Sequence, residues 1–162
     1  MTDKTKLQAL RASRLGADLD ERECDVLCGL VSVRELADQE VLVREGTTDN
    51  HLYIVADGTL GVMRNVDTDG RVTIATLGAG DLAGELSFID ATKRYASLVA
   101  LGRTRVLGLE REQFESLLTS HPLLFYHVIR AIVRTVHVIQ QRLSLQAVEL
   151  SNYIYKLSLI HI

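Results

Sequence analysis

The chain has 162 residues, of which 47% are hydrophobic and 24% are charged, with 18 basic and 21 acidic side chains. These proportions are ordinary for a soluble protein with one core, and they exclude a disordered, collagenous or low-complexity chain. The polar N-terminus does not resemble a secretory signal, and no continuous apolar run reaches the roughly 18 residues of a membrane helix. The sequence therefore predicts a cytoplasmic protein without a membrane partner.

Residues 1–31 are predicted to form an N-terminal helical segment, in which Asp18 or Asp20 is placed to cap the second helix. Cys24 and Cys28 are four residues apart and share one helix face. We interpret them as small buried side chains, because a reducing cytoplasm disfavours a disulfide and a metal site needs more ligands. We expect neither a metal nor a cofactor.

Residues 32–120 are predicted to be mainly β. Short β-branched segments alternate with turn signals at roughly 8–12-residue spacing, which is typical of an all-β domain. Nine of the eleven glycines lie between Gly46 and Gly108. Two pairs, Asp57-Gly58 and Asp69-Gly70, predict tight hairpins in which glycine adopts a positive φ.

A long helix is predicted over residues 121–155, followed by an apolar tail at 156–162, since proline suits the first helical turn and Pro122 is the only proline. Its apolar residues follow a 4-3-4-3 spacing, which is typical of a coiled-coil seam. The seam predicts a homodimer through residues 122–150, of parallel or antiparallel sense. A helix packed only on its own β domain remains the alternative. The predicted interface residues are Phe125, Ile129, Ile132, Val136, Ile139 and Leu143.

The candidate binding residues lie between residues 83 and 98. The Gly84-Glu85 pair lets the backbone approach a ligand, and the short turn that follows is suited to an anion-binding nest. Arg94 follows nine residues after Glu85, and its planar guanidinium matches phosphate oxygens while a carboxylate accepts from hydroxyls. This combination predicts a sugar phosphate ligand. The alternative is a salt bridge between Glu85 and Arg94.

The segment Gly84–Ile89, followed by Arg94–Ser97, resembles the phosphate-binding cassette of cyclic nucleotide-binding domains. That family includes bacterial catabolite activators and the regulatory subunits of protein kinase A. The resemblance covers residues 20–150. It implies a mainly β fold: an antiparallel double-stranded β-helix, or jelly-roll-like β-roll, with N-terminal helices and a long C-terminal dimerisation helix.

The resemblance also implies a role for each cassette residue. Glu85 would accept the ribose 2′-hydroxyl of cAMP or cGMP, and Arg94 would pair with the cyclic phosphate. On the long helix, Gln140 is the candidate contact for the base, with Gln141 and Thr135 as weaker ones. The predicted ligand-binding residues are Gly84, Glu85, Leu86, Ser87, Arg94, Tyr95, Ala96 and Gln140, with backbone N–H groups contributed by Leu86, Tyr95 and Ala96.

Tyr95 departs from the family pattern, which has a small residue directly after the arginine. The tyrosine side chain has three options: it stacks on the ligand, blocks it, or points away. The choice between cAMP and cGMP therefore stays open.

The predicted function is a bacterial, non-enzymatic cyclic nucleotide sensor that signals to an unidentified protein partner through movement of its C-terminal helix. Too few residues follow Leu150 for a helix-turn-helix domain, so direct DNA binding is not expected. A binding-dead dimeric scaffold of the same fold is the main alternative. A metal-dependent β-barrel enzyme is disfavoured, because His51 is the only histidine in the β region.

Overall fold

The computed structural model describes residues 1–160 and consists of a β-roll with helices before and after it. The helices are α1 (Asp3–Ala12), α2 (Glu21–Cys28), α3 (Glu85–Asp90), α4 (Arg111–Ser120) and α5 (Pro122–Ile160), with a 3-10 turn at Gly16–Asp18. The strands are β1 (Ser32–Leu36), β2 (Val41–Val43), β3 (His51–Asp57), β4 (Leu60–Arg64), β5 (Val72–Leu77), β6 (Leu82–Ala83), β7 (Ser97–Ala100) and β8 (Thr104–Glu110).

The strands form two four-stranded antiparallel sheets, in the orders β1-β8-β3-β6 and β2-β7-β4-β5. One hydrophobic cluster, which includes Val55, Leu60 and Val106, lies inside the roll. A second cluster joins the roll to the helices and includes Leu27 and Phe88. The predicted mainly β roll with flanking helices and a long C-terminal helix is confirmed.

The N-terminal segment folds as its local sequence predicts. Asp20, rather than Asp18, caps α2: its carboxylate accepts from the backbone N–H of Glu23 at 2.8 Å. The Glu23 carboxylate accepts in turn from the backbone N–H of Asp20 at 3.1 Å, which completes a capping box. Cys24 is buried, Cys28 is half-buried, and both are free thiols. Burial raises the pKa of each thiol, as expected for cysteines that pack rather than react.

The two predicted hairpins differ in how they turn. Gly58 has a φ of +90°, as predicted, and a Cβ there would lie 2.4 Å from the carbonyl oxygen of Arg103. In the β4–β5 hairpin the expectation for Gly70 is wrong, because the positive φ of 58° belongs to Asn65. The connection there is longer than two residues and begins with a turn closed by Thr68, which donates to the Asn65 carbonyl at 3.1 Å.

Helix α5 continues five residues beyond the predicted end at 155. It therefore takes up the tail as far as Ile160, and positions 161 and 162 lie outside the described residues. By length and composition α5 meets the criterion for a membrane-crossing helix, although polar and charged residues interrupt its apolar runs well before 18 residues. This is weak evidence for a membrane span, because core helices of soluble proteins meet the same criterion. The first half of α5 packs on the core, where Leu124, Val128 and Ala131 are buried.

Candidate ligand-binding site

Gly84 turns the chain from β6 into α3 and does so in the left-handed region, with a φ of +79°. The space beside its Cα is taken by Arg94. A Cβ on residue 84 would lie 1.7 Å from Nη1 of Arg94, far inside van der Waals contact. Both the backbone conformation and this close approach therefore require glycine.

The guanidinium of Arg94 is buried, with only 3% of its side chain exposed. Nη1 donates to the carbonyl oxygen of Gly84 at 2.9 Å, and Nη2 donates to Asp49 Oδ1 at 3.0 Å and to the carbonyl oxygen of His51 at 2.5 Å. Within residues 1–160, the buried Nε of Arg94 has no hydrogen-bond partner. The side chain is thus held at its tip and keeps one donor free.

Asp49 is a site residue that the sequence analysis missed. It lies in the loop before β3 and forms the ion pair with Arg94. The same loop holds the backbone of Arg94, since Gly46 donates to its carbonyl at 2.7 Å and its N–H donates to Thr47 at 2.8 Å. One chemical argument could have indicated such a residue, because a buried arginine needs a carboxylate partner. The sequence alone did not show which of the acidic residues supplies it.

Glu85 is the first residue of α3 and is half-buried. Burial raises the pKa of its carboxyl, although its own backbone N–H and the charge of Arg94 act in the opposite direction. Among the ion pairs of residues 1–160, Arg94 is paired with Asp49 and not with Glu85. The salt bridge between Glu85 and Arg94, left open by the sequence, is therefore absent from the described structure.

Glu85→Gln is expected to raise the melting temperature at pH 7 by a few degrees. A carboxyl whose pKa is higher in the folded than in the unfolded state destabilises the fold at a pH above both pKa values, where it is ionised. This penalty disappears as the pH falls through the folded pKa to below the unfolded pKa. The neutral amide removes the penalty. Calorimetric melting at pH 7 and at a pH below 4.5 is the test, with Glu115→Gln on the exposed face of α4 as the control. A gain of equal size at both pH values would contradict this explanation.

The remaining cassette residues divide into buried and exposed groups. Ala96 is buried, whereas Leu86 is exposed. The carbonyl oxygen of Ser87 accepts from Nη2 of Arg111 at 3.1 Å. Tyr95 is 67% exposed and lies beneath the guanidinium of Arg64, 4.6 Å from its ring centroid. Of the three options for Tyr95, the structure shows a side chain at the surface, in a cation–π contact.

Gln140 is exposed on α5 and lines an apolar groove of about 260 Å³ between α5 and α3. Leu86 and Ile89 form the α3 side of this groove. The weaker base candidates are otherwise engaged: Thr135 is buried and donates to the Ala131 carbonyl at 3.1 Å, and Gln141 contacts a histidine of its own helix. The structure thus brings Gln140, but not Thr135, to the cassette helix.

The predicted dimer-interface residues do not share one environment. Ile132 is buried in the core of its own chain, and Phe125 stacks on Phe114 with ring centroids 4.5 Å apart. Ile139 and Leu143 are exposed. Ile129 and Val136 are half-buried and line the groove beside α3.

Comparison with known proteins identifies the family. The profile of the cyclic nucleotide-binding domain matches residues 33–121, more than half of the chain. The chain belongs to the cyclic nucleotide-binding domain family. The domains of this family are regulatory and generally non-enzymatic.

A curated relative is the cyclic AMP receptor protein of Thermus thermophilus, with 29% identity over 140 residues. The match covers 86% of this chain but 65% of the relative, so the chain spans somewhat less than two thirds of that protein. A cyclic nucleotide-binding domain from Methylobacillus flagellatus has a TM-score of 0.75 and 26% identity, covering 86% of this chain and 79% of the other.

A third relative was solved with its ligand. The regulatory domain of protein kinase A from Toxoplasma gondii, in complex with cAMP, has a TM-score of 0.61 and 26% identity. The match covers 70% of this chain and 43% of that one. The resemblance therefore extends to a protein of the same fold that binds cAMP.

Proposed function

We propose that this protein is a sensor of cAMP or cGMP, which binds the nucleotide at residues 84–96 and signals to a protein partner through α5. The observation that carries the proposal is the free Nε of Arg94. A buried donor without a partner is uncommon and costs about 1–3 kcal/mol. A phosphate oxygen is an acceptor that the guanidinium geometry matches well.

The other ligand contacts follow from the same cassette. Glu85 is the proposed acceptor for the ribose 2′-hydroxyl, with backbone N–H groups of Leu86, Tyr95 and Ala96 on the phosphate. Its raised pKa fits this role, because a carboxylate that is incompletely satisfied in the free protein gains from a hydroxyl donor. Gln140 is the proposed base contact, supported by its position in the groove beside α3.

Two sets of contacts connect α3 to α4, and one of them continues to α5. Phe88 of α3 packs against Phe114 of α4 with ring centroids 5.2 Å apart, and Phe114 stacks on Phe125 of α5. Arg111, the first residue of α4, donates from Nε to the carbonyl oxygen of Phe88 at 2.7 Å. If a ligand displaces α3, the packed side chains between α3, α4 and α5 must also move. This supports signalling through movement of α5.

We also propose that the protein is cytoplasmic and that it forms a homodimer through α5. Exposed apolar side chains that include Ile139, Leu143 and Leu150 continue the heptad spacing beyond the part of α5 that packs on the roll. Burial of such side chains against a second helix is favourable by about 25 cal/mol for each Å² of apolar surface. The seam supports a dimer, and residues 122–135 serve mainly the fold of the single chain.

A binding-dead scaffold is the second candidate. Its support is that the Arg94 guanidinium already has three acceptors within the protein, from Gly84, Asp49 and His51. In this alternative the free Nε is simply tolerated, and α5 acts only as an assembly element.

Calorimetric titration of the purified protein with cAMP and with cGMP separates the two candidates. The sensor proposal predicts saturable binding of at least one of the two nucleotides, with a dissociation constant of about 1 μM or lower. A dissociation constant of 1 μM corresponds to a binding free energy of about −8.2 kcal/mol. Adenosine 5′-monophosphate is the matched ligand control, since it has the same base and sugar without the cyclic phosphate. No binding of either cyclic nucleotide by the folded protein would overturn the sensor proposal and leave the scaffold.

A further inference from the structure

Helix α5 has two halves with different surroundings. Its last buried residue is Thr135, and every residue from Ile139 to Lys156 is exposed. Whatever fixes the direction of α5 relative to the roll therefore acts within residues 122–138. Apolar packing is one of the interactions that fix the direction of α5, and it acts on the helix face that carries Val128 and Ile132.

A second set of contacts to α5 is polar and comes from the N-terminal segment. His127, Arg130 and Arg134 are spaced three and four residues apart, so that they lie on one side of the helix. The carboxylate of Asp18 is almost completely buried, with 4% of the side chain exposed. It accepts a hydrogen bond from Nη1 of Arg134. Its Oδ1 also lies 3.4 Å from Nε of Arg130, an ion pair without a hydrogen bond.

The other polar contact joins α5 to the cap of α2. Nδ1 of His127 lies 2.6 Å from Oε2 of Glu23, whose side chain is 14% exposed. The second oxygen of the same carboxylate accepts from the backbone N–H of Asp20 in the capping box. The carboxylate that caps the start of α2 thus also contacts α5, and the two helices cannot separate without breaking this contact.

We infer that Asp18 and Glu23, through Arg130, Arg134 and His127, form a polar clasp that positions α5 over the cassette helix. Asp18 and Glu23 are positioning residues: they touch α5 and not the candidate ligand site.

The clasp ends at Arg134, and Val133, Val136 and Gln140 in the adjoining turns line the groove against α3. An α5 released from the clasp loses the geometry that places Gln140 beside Leu86.

Two physical arguments favour a positioning role over a general contribution to stability. The Asp18 carboxylate is almost fully buried and accepts a charge-assisted hydrogen bond from Arg134, which is a more directional contact than an ion pair exposed on both sides, whose net contribution is about 0–1 kcal/mol. The contacts also join elements that lie far apart in the sequence, since Asp18 and Arg134 are 116 residues apart. They therefore act on the relation between the N-terminal segment and α5 rather than within one helix.

The test is Asp18→Asn, which keeps the side-chain volume and removes the charge, with Arg134→Gln as a second variant at an exposed position. Amide hydrogen exchange in residues 122–138 is expected to become about tenfold faster in each variant, while exchange in β3 and β8 stays unchanged. Unchanged exchange in residues 122–138 of both folded variants would overturn the clasp. This readout needs no nucleotide.

The link to nucleotide binding rests on the proposed function and has its own measurement. In the same variants, the affinity for whichever cyclic nucleotide binds the wild type is expected to fall about tenfold, a usual size for coupling between sites. Glu35→Gln is the control, because it neutralises the carboxylate of an exposed ion pair, 3.0 Å to Arg105, between β1 and β8 and outside the clasp. Faster exchange with unchanged affinity would overturn the positioning role, whereas a wild type that binds no nucleotide refutes the sensor and leaves the exchange test intact.

Discussion

Gly84→Ala is expected to reduce cyclic nucleotide affinity at least 100-fold. The new Cβ would lie 1.7 Å from Nη1 of Arg94, so the guanidinium has to leave its position. Displacement breaks its hydrogen bonds to Gly84, Asp49 and His51 and moves the free Nε away from the phosphate. A misplacement of about 1 Å in a binding group is enough for an effect of this size.

The control for Gly84→Ala is Gly102→Ala. Both glycines have a positive φ, +79° and +86°, but a Cβ on Gly102 would have no neighbour within 4 Å. Both variants are expected to lose about 1–2 kcal/mol of stability from the left-handed backbone. Gly84→Ala is expected to lose more than this, because the Arg94 hydrogen bonds break as well, and only Gly84→Ala is expected to lose binding. Denaturant unfolding and calorimetric titration of both variants give the comparison. Equal loss of affinity in the two would show that the contact with Arg94 is not the cause.

Arg94→Ala is expected to abolish detectable nucleotide binding and to destabilise the fold by about 3 kcal/mol. The truncation removes the phosphate contact, and it leaves the Asp49 carboxylate, 20% exposed, without its cation. An uncompensated charge in such a position is destabilising, at the low end of the range for buried pairs because Asp49 keeps some contact with water. Urea unfolding measures the loss of stability, and titration measures the loss of binding.

The double variant Arg94→Ala/Asp49→Asn separates the two roles of the arginine. Neutralising Asp49 removes the unpaired charge, while the amide oxygen still accepts from the backbone N–H of His51, as Asp49 does at 2.7 Å. Most of the lost stability is expected to return, and none of the binding. Recovery of binding in the double variant, or wild-type affinity in Arg94→Ala, would contradict the role assigned to Arg94.

The sequence predicted the features that depend on residues close together in the chain. The mainly β region follows from strand and turn signals, and the cap of α2 was narrowed to Asp18 or Asp20, of which the structure shows Asp20. The β-roll itself was implied by the family resemblance. The resemblance to a phosphate-binding cassette rested on two short segments close together in the chain, Gly84–Ile89 and Arg94–Ser97. Such patterns are visible without knowing how the chain folds back on itself.

The features that the sequence did not predict depend on contacts between distant segments. Asp49 is paired with Arg94 from 45 residues away, and only the pairing of the loop before β3 with the cassette brings them together. The exposed ring of Tyr95 contacts Arg64 at the end of β4, 31 positions earlier in the chain. The heptad spacing of α5 does not distinguish a partner helix from the chain's own core, and Ile132 contacts the core.

In the proposed function, the free Nε–H of Arg94 donates to the phosphate of a cyclic nucleotide. The most direct measurement is the side-chain Nε–H signal of Arg94 in ¹⁵N-arginine-labelled protein, assigned by its loss in Arg94→Lys, during titration with cAMP and cGMP. We predict that this signal shifts and becomes protected from solvent exchange in step with saturation. Saturable nucleotide binding that leaves the Arg94 Nε–H signal unchanged would contradict the account.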